Sequence, residues 1–206
     1  ARFKFRENKL VFLLVMLTIL VPSQMIMVPS YLNYSHLDIL GIFGLLARVT
    51  GIDIRPNVLD TALTFYLPAM FGVGLRSGFF VFIYMQFFKK MPKELEEAAW
   101  IDGANPFKTF LKVIIPSSKV AITTVTIFSV IWHYNDYYLS AMYFSDRYPL
   151  AVSLSLIASN SSIAGTDYAR ILKMAGCLLF ILPVLLMYMV LQRKFIQNID
   201  QVGIVG

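Results

Sequence analysis

The chain has 206 residues, 58% of them hydrophobic, and a mean hydropathy of +0.68. Soluble domains are roughly 45–50% apolar, so this composition excludes an ordinary water-soluble protein and indicates an all-α integral membrane chain. The formal net charge is +6, but the basic residues flank apolar runs instead of sharing one polar face, which argues against nucleic acid as a partner.

Taken in order, Arg2, Lys4, Arg6 and Lys9 form a basic collar before the first apolar run. Leu10 to Val28 is interrupted only by Thr18, Ser23 and Gln24. At 1.5 Å per residue it is long enough for one span of a ~30 Å hydrocarbon layer, with Pro22 as a site for a kink. Its length and the lack of a small-residue cleavage site distinguish it from a signal peptide. Residues 29–62 are mixed. Leu37 to Val49 is apolar but short, which suits an interfacial or re-entrant helix better than a span. Leu63 to Phe88 reads as the second span, with Pro68 near its start and Gly72, Gly74 and Gly78 offering close helix approach. Val120 to Met142 reads as the third, Tyr143 to Tyr168 as an exposed loop, and Ile171 to Leu191 as the fourth, closed by Gln192, Arg193 and Lys194. Residues 1–206 therefore read as a single transmembrane domain with spans at about 10–28, 63–88, 120–142 and 171–191. The lone cysteine, Cys177, lies in an apolar run and reads as a packing residue.

Orientation follows from the basic residues beside the spans. Residues 1–9 hold four Lys or Arg, residues 89–119 six and residues 193–206 two, while the alternate loops hold three, Arg48, Arg55 and Arg147. Twelve against three predicts that both termini and the 91–119 loop are cytoplasmic.

That loop, Met91 to Lys119, is a polar insertion between two apolar segments. Pro92 suits a first helical turn, and Glu94, Glu96 and Glu97 put negative charge at the positive end of the helix. Gly103 and Pro106 break the helix, and Phe107 to Ile115 suits a second short one before Pro116. Glu97-Ala98-Ala99, then Gly103, nine residues, and Val113-Ile114-Ile115-Pro116 resemble the "EAA" loop of bacterial ABC importer permeases, whose pattern is EAA, three residues, G, nine residues, I-x-L-P. Val113 for Ile and Ile115 for Leu are conservative departures. The wider run from Pro92 to Ala104 is similar to the carbohydrate-uptake, maltose-type branch in particular.

The resemblance implies a six-helix importer permease fold, of which four spans are seen. Ala1 to Arg6 resembles the cytoplasmic exit of the family's second helix, so two N-terminal helices are expected to be missing from residues 1–206. It also implies the partners: a cytosolic ATPase dimer, a second permease subunit, an extracellular solute-binding protein and the bilayer of the bacterial cell membrane. The 91–119 helix would dock in a groove of the ATPase, with Glu97 contacting a basic residue and Gly103 making the turn. Leu95, Ala98, Ala99 and Ile101 would supply the apolar side, and Trp100 faces either the partner or the membrane surface.

No catalytic constellation is visible: there is no phosphate loop, no His-Glu-x-x-His and no paired cysteines. The chain therefore reads as a non-catalytic subunit with no cofactor and no metal, its ATP hydrolysed by another chain. Arg76 lies mid-way along the second span, where a charge costs about 2.5–3.5 kcal/mol and usually faces a cavity or a partner. By resemblance, Trp132, Asn135 and Asp136 fall on a recurring Trp-Asn-acid feature of sugar permeases, spaced differently here by His133 and Tyr134. Arg76, Trp132, Asn135 and Asp136 are thus candidates for the solute path, with Asp136 neutralising Arg76, or else polar glue between helices. Trp132, Tyr134, Tyr137, Tyr138 and Tyr143 either stack on sugar rings or form the outer aromatic belt. A passive channel or secondary transporter, and a membrane anchor that only recruits a cytosolic partner, are the competing readings.

Overall fold

The computed structural model describes residues 2, 6–38, 41–53, 55–74, 76–157 and 166–203, with side chains described as far as Val190. Among the described residues the only regular structure is helical. In chain order the helices are α1 (Asn8–Leu20), α2 (Ser23–Ser35), α3 (Ile42–Thr50), α4 (Leu63–Met70), α5 (Ser77–Lys90), α6 (Glu94–Ile101) and α7 (Pro106–Thr109). A π-helical turn, Phe110–Ile114, leads into α8 (Ile115–Ser117), followed by α9 (Lys119–Tyr134), α10 (Tyr138–Tyr143), α11 (Leu150–Leu156) and α12 (Asp167–Gly203).

Three apolar runs expected to be continuous are broken, each for a local reason. The 10–28 run stops at Leu20 and restarts at Ser23, because Pro22 is extended at φ −66°, ψ 140°. The 63–88 run breaks between α4 and α5, where Gly72 and Arg76 both take left-handed backbone, φ 69° and 62°. The third ends at Tyr134, and α10 follows after Asn135–Tyr137. Only α12 contains, by itself, a segment long and apolar enough to cross a membrane, Asp167–Val190. The 143–168 stretch, expected as a loop, contains α11. Because α12 begins at Asp167, Arg170 and Lys173 lie in its first turns, at the end away from Arg193 and Lys194. Counting them with the alternate loops narrows the charge bias to twelve against five, with the same sign.

The chain divides into two compact units. The first comprises residues 1–18, 78–132 and 184–206. Within it, Phe12 stacks on Phe82 with ring centroids 6.5 Å apart, and Lys89 Nζ sits 5.0 Å over the Phe12 ring. The second comprises residues 19–77 and 133–183. Here α10 packs on α2. Buried Tyr143 meets Tyr34 edge-on at 5.2 Å and Phe65 at 5.8 Å. Residues after α2 pair with the loop before α4 through Leu37 N–H to Pro56 O and Val58 N–H to Tyr34 O, 3.0 and 2.9 Å.

The buried positions include Ala99, Ala121, Ala169, Thr64, Ser118 and Ser140, all small, and the largest fully buried side chains are Thr64 and Ser118. Large apolar side chains such as Leu10, Leu14, Met174 and Leu178 point outward. That inversion fits a lipid solvent: tails are as apolar as leucine, so helices associate through close backbone approach at small residues. The buried hydroxyls are satisfied locally, Thr64 Oγ1 donating to Thr61 O at 2.9 Å and Ser118 Oγ to Ile114 O at 2.6 Å.

Candidate functional site

Helix α6 is built from both ends. Glu94, Glu96 and Glu97 occupy its first turn, where carboxylates oppose the positive end of the helix dipole. Its C-terminus closes in a Schellman turn: Ala104 N–H reaches Ala99 O at 2.9 Å and Gly103 N–H reaches Trp100 O at 3.0 Å. Gly103 sits at φ 76°, the left-handed geometry this closure requires. Asn105 then caps α7, its side chain accepting from Lys108 N–H at 2.8 Å, with Pro106 at the first helical position.

The two faces of α6 differ. Glu96 and Ala99, three apart and so on one face, turn inward; Ala99 is only 8% exposed. Glu97, Ala98, Leu95, Trp100 and Ile101 turn outward, Ile101 being 87% exposed. Of the residues expected to present an apolar contact, Ala99 is the exception, because it is used in the chain's own packing against the following turn. Phe107, Phe110 and Leu111 extend the exposed apolar surface along the next segment.

Beyond Thr109 the helix widens. Ile115 N–H bonds to Phe110 O, one residue further back than in an α-helix, and Pro116 has no N–H with which to resume the ladder. The helical segment Pro106–Ser117 and α9 then meet at a 68° bend.

An inward contact on α6 has no local sequence signal. Arg2 Nε lies 2.8 Å from Glu96 Oε1, and Arg2 Nη2 donates to Met91 O at 2.6 Å. The two side chains are 21% and 16% exposed. Such a pairing, between residues far apart in sequence, is invisible to periodicity and motif spacing.

The four candidate path residues do not share one environment. Arg76 is exposed in the break before α5, so it sits on irregular backbone and not on a helix. Asn135 is exposed just after α9. The Asp136 carboxylate accepts from Ser140 N–H at 2.9 Å and its hydroxyl at 3.0 Å, anchoring the start of α10 in place of the Arg76 pairing expected. Trp132 packs among Phe79, Phe80 and Phe128, with centroids 5.2–5.5 Å away. Among the tyrosines, Tyr143 is buried, and Tyr134 stacks on Phe180 at 4.6 Å and donates to Phe180 O at 2.8 Å. Tyr137 and Tyr138 are the exposed pair. For three of the five aromatics, then, internal packing replaces both expected roles.

Two carboxylates lie on loops before α4. Asp60 is held below the usual carboxylate range by hydrogen bonds from Ser145. Asp53 is held well below it by hydrogen bonds from Arg55, which it also meets as an ion pair at 2.6 Å. Among the described residues no group of three or more His, Cys, Asp or Glu side chains is arranged to hold a metal.

Residues 1–201 match the family described as binding-protein-dependent transport system inner membrane component. The chain belongs to that family. It is 26% identical to the diacetylchitobiose uptake system permease protein of Streptomyces coelicolor, covering 98% of this chain and 59% of the relative. It is 28% identical to the sn-glycerol-3-phosphate transport system permease protein of Pectobacterium atrosepticum, covering 96% and 61%. Over 68% of its length it is 30% identical to the polygalacturonan/rhamnogalacturonan transport system permease protein of Bacillus subtilis, covering 51% of that protein. The chain thus spans roughly half to three-fifths of these permeases. In fold it is similar to a bacterial ABC transporter involved in import of the acidic polysaccharide alginate, with TM-score 0.63 and 22% identity over 95% of this chain and 64% of the other. Family membership makes this an inner-membrane permease component of an importer, in a family whose subunits are not catalytic.

Proposed function

We propose that the chain is a translocation subunit of an importer for a sugar or oligosaccharide, driven by a separate cytosolic ATPase that grips α6. The observation that carries this reading is the outward face of α6. Glu97 stands beside exposed Ala98, Leu95, Trp100 and Ile101, while the opposite face is anchored by Ala99 and Glu96. Burying a side chain of the size of Ile or Leu contributes about 1.5–3 kcal/mol, and a desolvated charge pair beside it adds specificity. A short helix held at both ends by caps moves as a rigid body, so a pull on its outer face passes through Gly103 and the 110–117 segment to α9.

The solute class is supported by the relatives. Their names describe uptake of diacetylchitobiose, of a polygalacturonan or rhamnogalacturonan, and of glycerol phosphate, all rich in hydroxyls. The charge bias of twelve to five supports a cytoplasmic N-terminus and α6. A second permease subunit would complete the pore, and a solute-binding protein would deliver the solute from the opposite side. Arg76 and Asn135 are the candidates for the solute path: irregular backbone at membrane depth is tolerated where it is buried in protein or lines a water-filled cavity. Transport undiminished by Arg76→Leu would remove Arg76 from that path.

The test of coupling is co-purification of the ATPase with the full-length permease. Glu97→Lys is expected to lower both ATPase recovery and solute-stimulated ATP turnover at least tenfold. Undiminished recovery and turnover would overturn the reading, whereas recovery without transport in the unaltered complex would favour a membrane anchor.

A further inference from the structure

We infer that Arg2 is a positioning residue for α6, a clasp that ties the chain before α1 to the end of α5 and the first turn of α6. The inference rests on the coupling role proposed for α6 and adds a second route by which motion of that helix leaves it.

The geometry is specific. One guanidinium serves two elements: Nε faces Glu96 Oε1 at 2.8 Å, and Nη2 donates to the Met91 carbonyl at 2.6 Å. Met91 is itself buried, and its N–H closes the last turn of α5 on Phe87 O at 3.2 Å. Neither Arg2 Nε nor Glu96 Oε1 touches water, and neither has a hydrogen-bond partner beyond the ion pair. Removing one charge therefore strands the other in a dry site, which is far costlier than losing an exposed surface pair. Arginine suits the task because its planar fork addresses two acceptors at once in fixed geometry, which a lysine ammonium does not.

The clasp has a mechanical consequence. Glu96 and Glu97 are adjacent but face opposite ways, so a partner holding Glu97 pulls on a helix whose other side is held by Arg2. Through the chain, α6 is linked forward to α7 and the π turn; through Arg2 it is linked back to α1. Phe12 on α1 also stacks on Phe82 of α5 and lies under Lys89, so α1 is tied to α5 at two places. Displacement of α6 would then be delivered to α1 and α9 together.

The experiment uses the full-length permease reconstituted with its ATPase, second subunit and binding protein. Arg2→Gln and Glu96→Gln are each expected to lower solute moved per ATP hydrolysed at least fivefold, with ATPase recovery within twofold of the parent. The exchange Arg2→Glu with Glu96→Arg is expected to recover at least half the loss, which a merely misfolded variant would not do. Solute moved per ATP unchanged within twofold in both single variants overturns the clasp. So does failure of Arg2→Cys and Glu96→Cys, in a Cys177→Ser background, to join through a short bifunctional thiol reagent in membranes. The thiol measurement is independent of the ATPase, so failure of Glu97→Lys to affect coupling would sink the docking reading while leaving the clasp geometry separately decided.

Discussion

Asp60 reaches Ser145 across 85 positions of sequence, accepting from its backbone N–H at 2.5 Å and from its hydroxyl at 2.6 Å. Its own N–H bonds to Tyr143 O at 2.9 Å, and its backbone is left-handed at φ 60°. These bonds lower the carboxyl pKa in the folded chain, so the stabilisation is fully present above the unfolded value and lost as pH falls through the folded one. Asp60→Asn, which tolerates the same backbone, is expected to flatten the acid limb of thermal stability below about pH 4. Asp60→Ala should be less stable than Asp60→Asn at every pH, because it loses both acceptors and keeps an unfavourable φ. Unfolding of the detergent-solubilised protein against pH reads both effects, and identical acid limbs for parent and Asp60→Asn would remove Asp60 as the source.

At Gly103 the cost of a side chain is purely one of backbone. An added Cβ meets nothing within 4 Å, but φ is 76°. Gly103→Ala is expected to destabilise by about 1 kcal/mol, and Gly103→Asn by less, since Asn tolerates left-handed backbone. If the Schellman turn also aims α6, ATPase recovery should fall in the same order, Ala below Asn below Gly. Equal stability of all three would contradict the assigned closure.

Gly74 and Gly176 should separate by what stands opposite them. A Cβ at Gly74 would lie 3.0 Å from the Ala69 Cα and 3.2 Å from its N, which are backbone atoms of α4. At Gly176 the Cβ would lie 2.8 Å from Leu154 Cδ1, the far end of a flexible side chain. Gly176→Ala is therefore expected to cost under about 1 kcal/mol and Gly74→Ala about 1–3 kcal/mol, typical of overpacking. Thermal unfolding of the two variants side by side checks the order, and the reverse order would show that α4 yields more readily than Leu154.

Trp132 is a test of packing against recognition. It touches Phe79, Phe80 and Phe128, and truncating a large aromatic in a packed cluster costs about 3–5 kcal/mol. As Trp132 is only half-buried, Trp132→Ala should cost toward or below the low end of that range, and Trp132→Phe well under half as much. Solute preference among sugars should be unchanged by Trp132→Phe. A changed preference at parental stability would return the residue to the solute path.

What could be read from sequence alone was what is local or spaced along one segment. Pro92, the three glutamates, Gly103, Asn105 and Pro106 specify a helix, its closure and the next cap through contacts within a few residues. Those elements stand at the expected positions. Continuity of spans was misjudged because hydropathy does not register backbone geometry: the run from Leu63 to Phe88 is apolar throughout, yet Gly72 and Arg76 turn left-handed inside it. Roles that depend on distant partners were illegible. Arg2 with Glu96, Asp60 with Ser145 and Tyr134 with Phe180 are each separated by tens of residues and carry no motif. Trp132 and Tyr143 drew attention as exposed aromatics only because nothing in the sequence shows that Phe79 and Tyr34 come to meet them.

The wide turn at Phe110–Ile114 changes what the fixed spacing after Gly103 means. A π turn holds more residues per revolution than an α-helix, so the nine residues between Gly103 and Val113 count out a segment that is partly overwound in number and short in height. One residue fewer would force that stretch back to α geometry and rotate everything beyond it by about 100°. Glu97 would keep its place on α6, but α9 would turn a different stripe toward its neighbours. The spacing is then a phase setting, matching the gripped surface of one helix to the lining face of another.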